Sequence, residues 1–236
     1  MLFCQSGGIS TNGFNPEKRH PDFLASIYLI PEEFNLPDVR VADLIKYYAS
    51  FYPNFDRLQF EKNILDFEVP ADRTFGEMSL GQKKKAVISF GLACNTPILL
   101  MDEPTNGLDI LSKSQFKKVM CEHVKPSQCI IISTHQVKDL ENIINRVTII
   151  DEQGIVLDKE VEAITKALYF TQSSDMQEVE KAIYADSFTK GSADIIVANT
   201  AMQHSNLDLE LLYKAVATNP KPLLEALAAV VSQGIE

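Results

Sequence analysis

Apolar residues in the first 160 positions follow two patterns, short uninterrupted runs and helical repeats. Runs of strand length predict buried strands, whereas apolar residues three or four positions apart predict helices with one buried face. The two kinds of element alternate, which predicts an α/β fold with a mostly parallel sheet. In one of the helices, Leu58, Ile64 and Leu65 are expected in the core. The expected strands cover 27–31, 98–102 and 129–134, and the expected helices cover 39–50, 56–65, 79–94, 111–124 and 136–145.

The pattern changes towards the end of the chain. Two apolar segments, 146–151 and 154–158, predict a β-hairpin around Gly154. Beyond about residue 161 the segments are shorter and carry no chemical motif, so we expect a domain over 1–160 and a small α+β extension over 161–236. The elements expected there are a strand at 167–170, a helix at 176–185, an apolar run at 193–198 and two helices at 207–218 and 222–233.

Charge and composition exclude several classes of function. The formal net charge is −10, which argues against a nucleic-acid partner because phosphate backbones repel an acidic surface. No apolar run approaches 18 residues and the first ten residues lack a signal-peptide pattern, so we expect no direct membrane insertion and a cytoplasmic location. The four cysteines form no CxxC pair and are expected as reduced thiols (Cys4, Cys94, Cys121 and Cys129).

The string ILLMDEPTNGLD, residues 98–109, carries the strongest chemical signal. A buried strand delivers two adjacent carboxylates, Asp102 and Glu103, to its carboxyl end, where open α/β sheets bind ligands. Adjacent residues of a strand point to opposite sides, so one carboxylate can hold Mg²⁺ through water while the other orients or deprotonates an attacking water. Asp109 follows on the next loop.

Two further strings add candidate phosphate contacts. In MSLGQKKK, residues 78–85, Ser79 is placed to cap a helix whose N-terminus can receive a phosphate. The lysines Lys83, Lys84 and Lys85 are expected on a solvated helix face rather than as a phosphate clamp. His135, just beyond the strand IIIST, can bond a terminal phosphate or the water that attacks it. The remaining histidines are expected at the surface (His20, His123 and His204).

In this order, the motifs resemble those of the ABC ATPase family over about residues 7–160. The resemblance implies a P-loop NTPase-like sheet and an inserted helical subdomain, over about 36–95, that docks on a membrane partner. It also assigns roles: Ser79, Leu80, Gly81 and Gln82 form the signature motif, 98–102 the Walker B strand, Glu103 the catalytic carboxylate, Leu108 and Asp109 the D-loop, and His135 the switch histidine.

The sequence departs from the family pattern at two points. Glu32 stands where the family has the glutamine of its Q-loop, so we expect a second magnesium ligand there with an added negative charge. No GxxxxGK[ST] string occurs, and the nearest glycine-rich piece, QSGGISTNG, has no lysine. We therefore expect that the N-terminal strands and the P-loop, about 40 residues at usual element lengths, are absent. The chain alone is then expected to bind ATP poorly and to be inactive.

The resemblance implies an ATP-binding subunit of an ABC transporter that uses ATP and Mg²⁺. Its partners would be a second ATP-binding subunit and a transmembrane subunit, which would hold it peripherally on the inner face of the cell membrane. The string NLDLELLYKAV, residues 206–216, is similar to a tail element of exporter subunits and favours export. The alternatives are a non-hydrolysing, truncated interaction subunit or gene remnant and, less favoured, a protein of translation or DNA repair.

Overall fold

The computed structural model describes residues 6–152, 154–173, 182–188, 191–198 and 205–233. The chain divides into two compact units, Met1–Gln136 and Val137–Glu236. The sequence predicts that the ATPase domain ends near residue 160, which is a different boundary from the division into compact units after Gln136. The end of the ATPase domain stays a prediction.

The first unit is built on a parallel three-stranded sheet in the order β1-β2-β3. Its strands are β1 (Ile27–Ile30), β2 (Ile98–Asp102) and β3 (Cys129–Ser133), which confirms the predicted α/β fold. Ile27 pairs with Ile98 and Ile98 with Cys129, so the carboxyl ends of the strands lie together at one edge. Asp102, for which the sequence predicts a role in binding Mg²⁺, lies at that edge.

The described part of this unit, residues 6–136, contains five α-helices: α1 (Pro21–Ala25), α2 (Leu44–Tyr48), α3 (Arg57–Asp66), α4 (Leu80–Ala93) and α5 (Ile110–His123). Short 3-10 helices, Val41–Asp43 and Ala49–Phe51, flank α2 and extend it to the predicted length. In α3, Phe60 and Ile64 are buried, but Leu58 and Leu65 are 77% and 76% exposed. The expectation that both leucines enter the core is therefore wrong, because α3 turns Phe60 and Asn63 inwards instead.

The two faces of the sheet differ. One face packs against α4, where a Cβ added to Gly91 would lie 2.9 Å from the ring of Tyr28. On the other face, Leu29 and Ile131 pair through Leu100 and are 57% and 55% exposed. Parallel sheets usually have both faces covered, so this unit presents an unusual amount of apolar strand surface.

The second unit contains a hairpin and a small antiparallel sheet. Strands β4 (Arg146–Asp151) and β5 (Gly154–Glu160) form the predicted hairpin. After α6 (Val161–Ala167), the sheet has the order β6-β8-β7. Two helices close the unit and match the predicted pair. The remaining bounds are β6 (Leu168–Ser173), β7 (Tyr184–Phe188), β8 (Gly191–Val197), α7 (Leu209–Thr218) and α8 (Pro220–Gln233).

Two predicted helices differ from the structure. The segment 136–145 forms only a 3-10 helix, Val137–Leu140, and a turn before β4. Of the helix predicted at 176–185, most residues lie outside the described ranges, and Tyr184 and Ala185 belong to β7. Among the described residues, no helix combines the length and the apolar character needed to cross a membrane.

The core of the second unit joins its hairpin, sheet and closing helices. Leu157, Ile195 and Leu212 are at most 2% exposed and belong to one apolar cluster. At the surface, Glu210 of α7 forms ion pairs with Lys138 and with Lys214. Nζ of Lys214 lies 2.9 Å from Oε1 of Glu210. Lys214 also contacts Asp186 of β7 at 2.7 Å, so these charges connect three elements of the unit.

Candidate active site

The ends of β2 and β3 meet through Asp102 and Ser133. These residues pair across the sheet, and the Ser133 hydroxyl donates a hydrogen bond of 2.7 Å to Oδ1 of Asp102. The Asp102 side chain is otherwise exposed at the strand end. The structure thus places this carboxylate at the ligand-binding edge of the sheet.

The carboxylate of Glu103 is held by the segment that follows β3. Thr134 donates its hydroxyl to Oε2 at 2.8 Å, and the backbone N–H of His135 donates to Oε1 at 2.8 Å. The ring nitrogen Nδ1 of His135 lies 2.7 Å from the same Oε1. The Glu103 side chain is only 13% exposed, whereas that of His135 is 71% exposed. Glu103 and His135, which the sequence singled out separately, thus form one hydrogen-bonded pair.

This contact fixes the proton arrangement on His135. An ionised carboxylate only accepts hydrogen bonds, so Nδ1 of His135 must carry a proton to bond Glu103. In the neutral ring Nε2 is then an acceptor, and in the charged ring it becomes a second donor. The exposed ring of His135 can accordingly accept from a water when neutral or donate to a phosphate when charged.

A buried lysine supports the backbone of Glu103. Lys84 of α4 donates from Nζ to the carbonyl oxygens of Glu103 and Asn106, at 3.0 and 2.9 Å. Its burial lowers the pKa of the Lys84 ammonium, and the nearby carboxylates of Glu32, Glu103 and Asp102 oppose that shift. The expectation of a solvated lysine face is wrong for this residue, which is 2% exposed.

Periodicity could have revealed the burial of Lys84. It lies four residues before Ile88 and eight before Leu92, both fully buried, so it falls on the apolar face of α4. Lys85 is also buried, 8% exposed, and donates to the Gln115 side chain at 3.2 Å. The expectation of a solvated face is therefore also wrong for Lys85, because its position on the helix decides its burial despite its charge.

Glu32 joins the site through a chain of polar side chains. Asn106 donates from Nδ2 to Oε1 of Glu32 at 2.6 Å, and Gln136 donates to Asn106 at 3.4 Å. Lys113 in turn donates to Oε1 of Gln136 at 2.8 Å. Sequence reasoning missed Thr134, Asn106 and Gln136 as participants, although all three lie within or beside the motif strings that drew attention to their neighbours.

The residues of the SLGQ string form a helix cap beside this turn. The Ser79 hydroxyl accepts from the N–H of Gln82 at 3.3 Å, and the Gln82 side chain accepts from the N–H of Ser79 at 3.0 Å. This reciprocal pair is a capping box. Gly81 faces Gly107, because a Cβ added to Gly81 would lie 3.7 Å from the Gly107 carbonyl oxygen. Leu80 is 60% exposed. Contacts of this string with a nucleotide stay a prediction.

Asp109 caps a helix in the structure. Its Oδ1 accepts from the N–H of Ser112 at 2.7 Å, at the N-terminus of α5. Hydrogen bonds from Ser112, first from its backbone, hold the pKa of the Asp109 carboxyl below its usual value. The carboxylate is therefore engaged within the chain, and its predicted role at a nucleotide stays a prediction.

The carboxylates present fit a magnesium ion. Mg²⁺ prefers oxygen ligands and keeps several of its waters. Asp102 has an exposed carboxylate that Ser133 holds through one oxygen, which suits contact through water. Glu32 offers a second carboxylate, oriented by Asn106 through its Oε1. These are the two residues that the sequence suggested as metal ligands.

Two other predicted features lie apart from this edge. His123 was expected at the surface, but its side chain is 7% exposed and Nε2 lies 3.0 Å from Oδ2 of Asp66. The surface expectation is therefore wrong for His123, which links α5 to α3; His20 is exposed as expected, and His204 lies outside the described residues.

A separate cavity of about 880 Å³ is lined by Tyr28, Tyr48 and Phe90, among other residues, and by none of the predicted site residues.

Comparison with known proteins agrees with this geometry. Residues 2–106 match the family model described as ABC transporter. This match covers somewhat less than half of the chain and makes residues 2–106 similar to the ABC transporter family. The matched range includes Glu32, the signature string and the Asp102–Glu103 pair, and it ends before Asp109 and His135.

Two curated relatives and one solved structure give the extent of this similarity. The ABC transporter ATP-binding protein YtrB of Bacillus subtilis (strain 168) is 26% identical over 157 residues, 66% of this chain and 53% of that protein. The methionine import ATP-binding protein MetN of Carboxydothermus hydrogenoformans is 31% identical over 144 residues, 56% of this chain and 43% of that protein. The chain thus spans about half the length of these relatives.

The fold is also that of ABC ATPase subunits. A solved ATP-binding subunit of an ABC transporter superposes with a TM-score of 0.58 at 20% identity, covering 68% of this chain and 69% of that one. At this level of identity the match concerns the fold alone. Together with the parallel sheet it confirms the predicted P-loop NTPase-like architecture.

Proposed function

We propose that this chain forms the hydrolytic part of an ATP-binding subunit of an ABC transporter, which couples ATP binding and hydrolysis to transport by a membrane partner. The observation that carries this proposal is the Glu103 carboxylate. It is held by Thr134 and His135 where two parallel strands end, beside the exposed carboxylate of Asp102. Such an arrangement suits hydrolysis of a phosphoanhydride, in which a positioned carboxylate orients the attacking water.

In this proposal Glu103 acts on the water. Three hydrogen bonds hold its carboxylate in one position. A water in contact with it would therefore be oriented without loss of side-chain conformational entropy at that step. A carboxylate in this position accepts a proton from the water as the oxygen attacks phosphorus. The exposed ring of His135 lies beside it and contacts the same water or the terminal phosphate through Nε2.

The proposed ligands are ATP and Mg²⁺. Asp102 would hold the ion through water, and Glu32 would offer the second carboxylate near the phosphates. When bound, the ion would neutralise charge on the phosphate oxygens. The chain itself supplies the carboxylates that select a hard cation and the strand ends that place them.

A second ATP-binding subunit is proposed to complete the site. In the family, the signature string of one subunit contacts the terminal phosphate held by the other, which assigns that part to Ser79 and Gly81. Exposed apolar side chains around these residues support a covering partner, since Leu80, Ile110 and Leu111 are 60%, 89% and 65% exposed. All three lie at the N-terminal ends of α4 and α5.

The membrane partner is proposed to dock on the helical subdomain, over about 36–95. The cavity of about 880 Å³ supports this part, because Tyr48, Phe51, Tyr52 and other subdomain residues line it. Such docking would place the chain peripherally on the inner face of the cell membrane. The proposed direction of transport, export, rests on the string at 206–216; MetN is named for import, so the direction stays a prediction.

A second candidate is a non-hydrolysing subunit that contributes its signature string to the ATP site of a partner. The intact hydrogen-bonded set around Glu103 favours the hydrolytic proposal, because a subunit without turnover has no need to orient this carboxylate.

The substitution Glu103→Gln distinguishes the hydrolytic subunit from the non-hydrolysing subunit. In the complete transporter that contains this chain, Glu103→Gln should lower ATP turnover by about 100-fold or more, because the amide cannot accept the proton, and should leave ATP binding unchanged. Glu61→Gln, a change at an exposed residue of α3, serves as the control and should turn over ATP normally. Retained turnover in Glu103→Gln would assign the base elsewhere. ATP binding without turnover in the unmodified transporter would support the second candidate.

A further inference from the structure

The Lys84 side chain is a charged group placed deep in the first unit. It is 2% exposed, and transfer of an ammonium from water into a protein interior is costly unless polar partners replace the water. Its Nζ has such partners in the carbonyl oxygens of Glu103 and Asn106, at 3.0 and 2.9 Å. A residue needed only to fill this space would be apolar, so the charge requires an explanation of its own.

The two carbonyl groups belong to one turn. The N–H of Asn106 donates to the Glu103 carbonyl oxygen at 3.1 Å, which closes the turn Glu103–Asn106. Glu103 begins this turn with a φ of +43°, in the left-handed region that a glutamate rarely adopts. The carbonyl oxygen of Glu103 therefore receives two hydrogen bonds, one from the turn and one from Lys84.

Both ends of this turn carry side chains of the site. At its first residue, the Glu103 carboxylate bonds Thr134 and His135. At its last residue, Asn106 bonds Glu32. Lys84 thus bonds the backbone of both residues whose side chains reach Thr134, His135 and Glu32. The negative charge of Glu32, Glu103 and Asp102 nearby adds electrostatic stabilisation to the ammonium.

We propose that Lys84 is a positioning residue for ATP hydrolysis, which holds the Glu103–Asn106 turn so that the Glu103 carboxylate stays directed at Thr134 and His135. This inference rests on the proposed function. It differs from a purely structural role, because it requires Lys84 to affect the chemical step more than it affects ATP binding or folding.

Lys85 provides a matched control on the same helix. It is also buried, but its Nζ contacts the Gln115 side chain rather than the turn. Lys84→Met and Lys85→Met each remove one buried ammonium and retain an apolar side chain of similar length. The two variants are expected to lose similar stability, so a difference between them reports on the turn.

The first experiment compares ATP turnover in the complete transporter. Lys84→Met should lower kcat about tenfold or more and leave KM for ATP within about twofold, while Lys85→Met should keep kcat within about twofold of the unmodified protein. Equal kcat values in the two variants, or a rise of KM that accounts for the whole loss, would overturn the proposal. If Lys84→Met does not melt cooperatively, Lys84→Gln against Lys85→Gln takes its place with the same outcomes, because glutamine also removes the ammonium.

The second experiment needs no turnover. The N–H of His135 donates to Glu103, so its hydrogen exchange in the chain alone reports on the direction of that carboxylate. Lys84→Met should accelerate exchange of this amide about tenfold or more relative to Lys85→Met, and equal exchange would overturn the proposal. Absence of turnover in the unmodified transporter would contradict the proposed hydrolysis, and this measurement would still decide whether Lys84 positions Glu103.

Discussion

Asn106 donates a hydrogen bond of 2.6 Å to Glu32, which links the turn after β2 to the segment that follows β1. By the resemblance to the ABC ATPase family, Glu32 is predicted to occupy the place of the Q-loop glutamine. An amide oxygen accepts the same bond from Asn106, so the contact itself does not require a carboxylate. What Glu32 adds is a negative charge close to the proposed phosphates.

We expect Glu32→Gln to raise KM for ATP in the complete transporter by about twofold to tenfold, because the proposed second magnesium carboxylate is replaced by an amide while the bond from Asn106 is retained. Steady-state turnover at varied ATP concentration measures this. Glu33→Gln removes the same charge from the neighbouring exposed residue and should change KM less. A lower KM in Glu32→Gln would instead indicate that the charge of Glu32 repels the phosphates more than it holds the magnesium ion.

Two glycines of α4 should respond differently to alanine. At Gly91 an added Cβ would lie 2.9 Å from the ring of Tyr28 and 3.0 Å from Ile30, so Gly91→Ala should destabilise the chain by about 1–3 kcal/mol. At Gly81 the nearest atoms would be 3.7 Å away, an ordinary contact. Gly81→Ala should therefore stay within about 1 kcal/mol of the unmodified chain, since alanine also favours the helix.

Urea unfolding of the chain measures both values. Because Gly81 belongs to the proposed signature string, Gly81→Ala should still impair ATP turnover in the complete transporter. A stable Gly91→Ala variant would mean that Tyr28 can move away from α4 at little cost.

The ion pairs of Glu210 predict a pH dependence of the second unit. Hydrogen bonds from Lys138 and Lys214 lower the pKa of the Glu210 carboxyl from 4.5 to about 2. A carboxyl whose pKa is lower in the folded chain stabilises it above the unfolded value, and this contribution is lost as the pH falls from about 4.5 to about 2. The unmodified chain should therefore melt at a higher temperature than Glu210→Gln at pH 7, with the difference vanishing towards pH 2.

Thermal melting across this pH range tests the prediction. Glu225→Gln, at an exposed position of α8, is the control and should follow the unmodified chain at every pH. A difference between Glu210→Gln and the unmodified chain that persists at pH 2 would show that the side chain acts through packing rather than through its charge.

The sequence predicted the parts of the fold that depend on local pattern. The three parallel strands, the helix capped by Ser79, the helix expected at 111–124 and the hairpin around Gly154 follow from apolar runs, the capping residue Ser79 and a turn glycine. The prediction of a helix at 136–145 was wrong, because most of the side chains expected on its buried face are only partly buried. In the structure only Val137–Leu140 is helical, and Leu140 alone of these four is buried.

The sequence revealed those site residues that lie within the motif strings. It did not reveal a residue such as Lys84, which the fold brings to the site from a distant part of the chain. Glu103 and His135 stand out because each follows an apolar strand. Lys84 lies 19 residues before Glu103 in the chain, and only the packing of α4 against the sheet brings its Nζ to the Glu103 carbonyl. Sequence pattern alone treats such a lysine as a surface charge, because charged side chains are rarely buried without partners.

The bonds between Glu103 and the end of β3 have a mechanical consequence. The backbone N–H of Glu103 donates to the carbonyl oxygen of Ser133 at 2.9 Å, while its carboxylate bonds Thr134 and His135. The last residues of the two strands are thus cross-linked through both backbone and side chain. A ligand that moves His135 would therefore also move Glu103. The proposed contact of His135 with a phosphate and the proposed orientation of the attacking water by Glu103 would then be mechanically coupled.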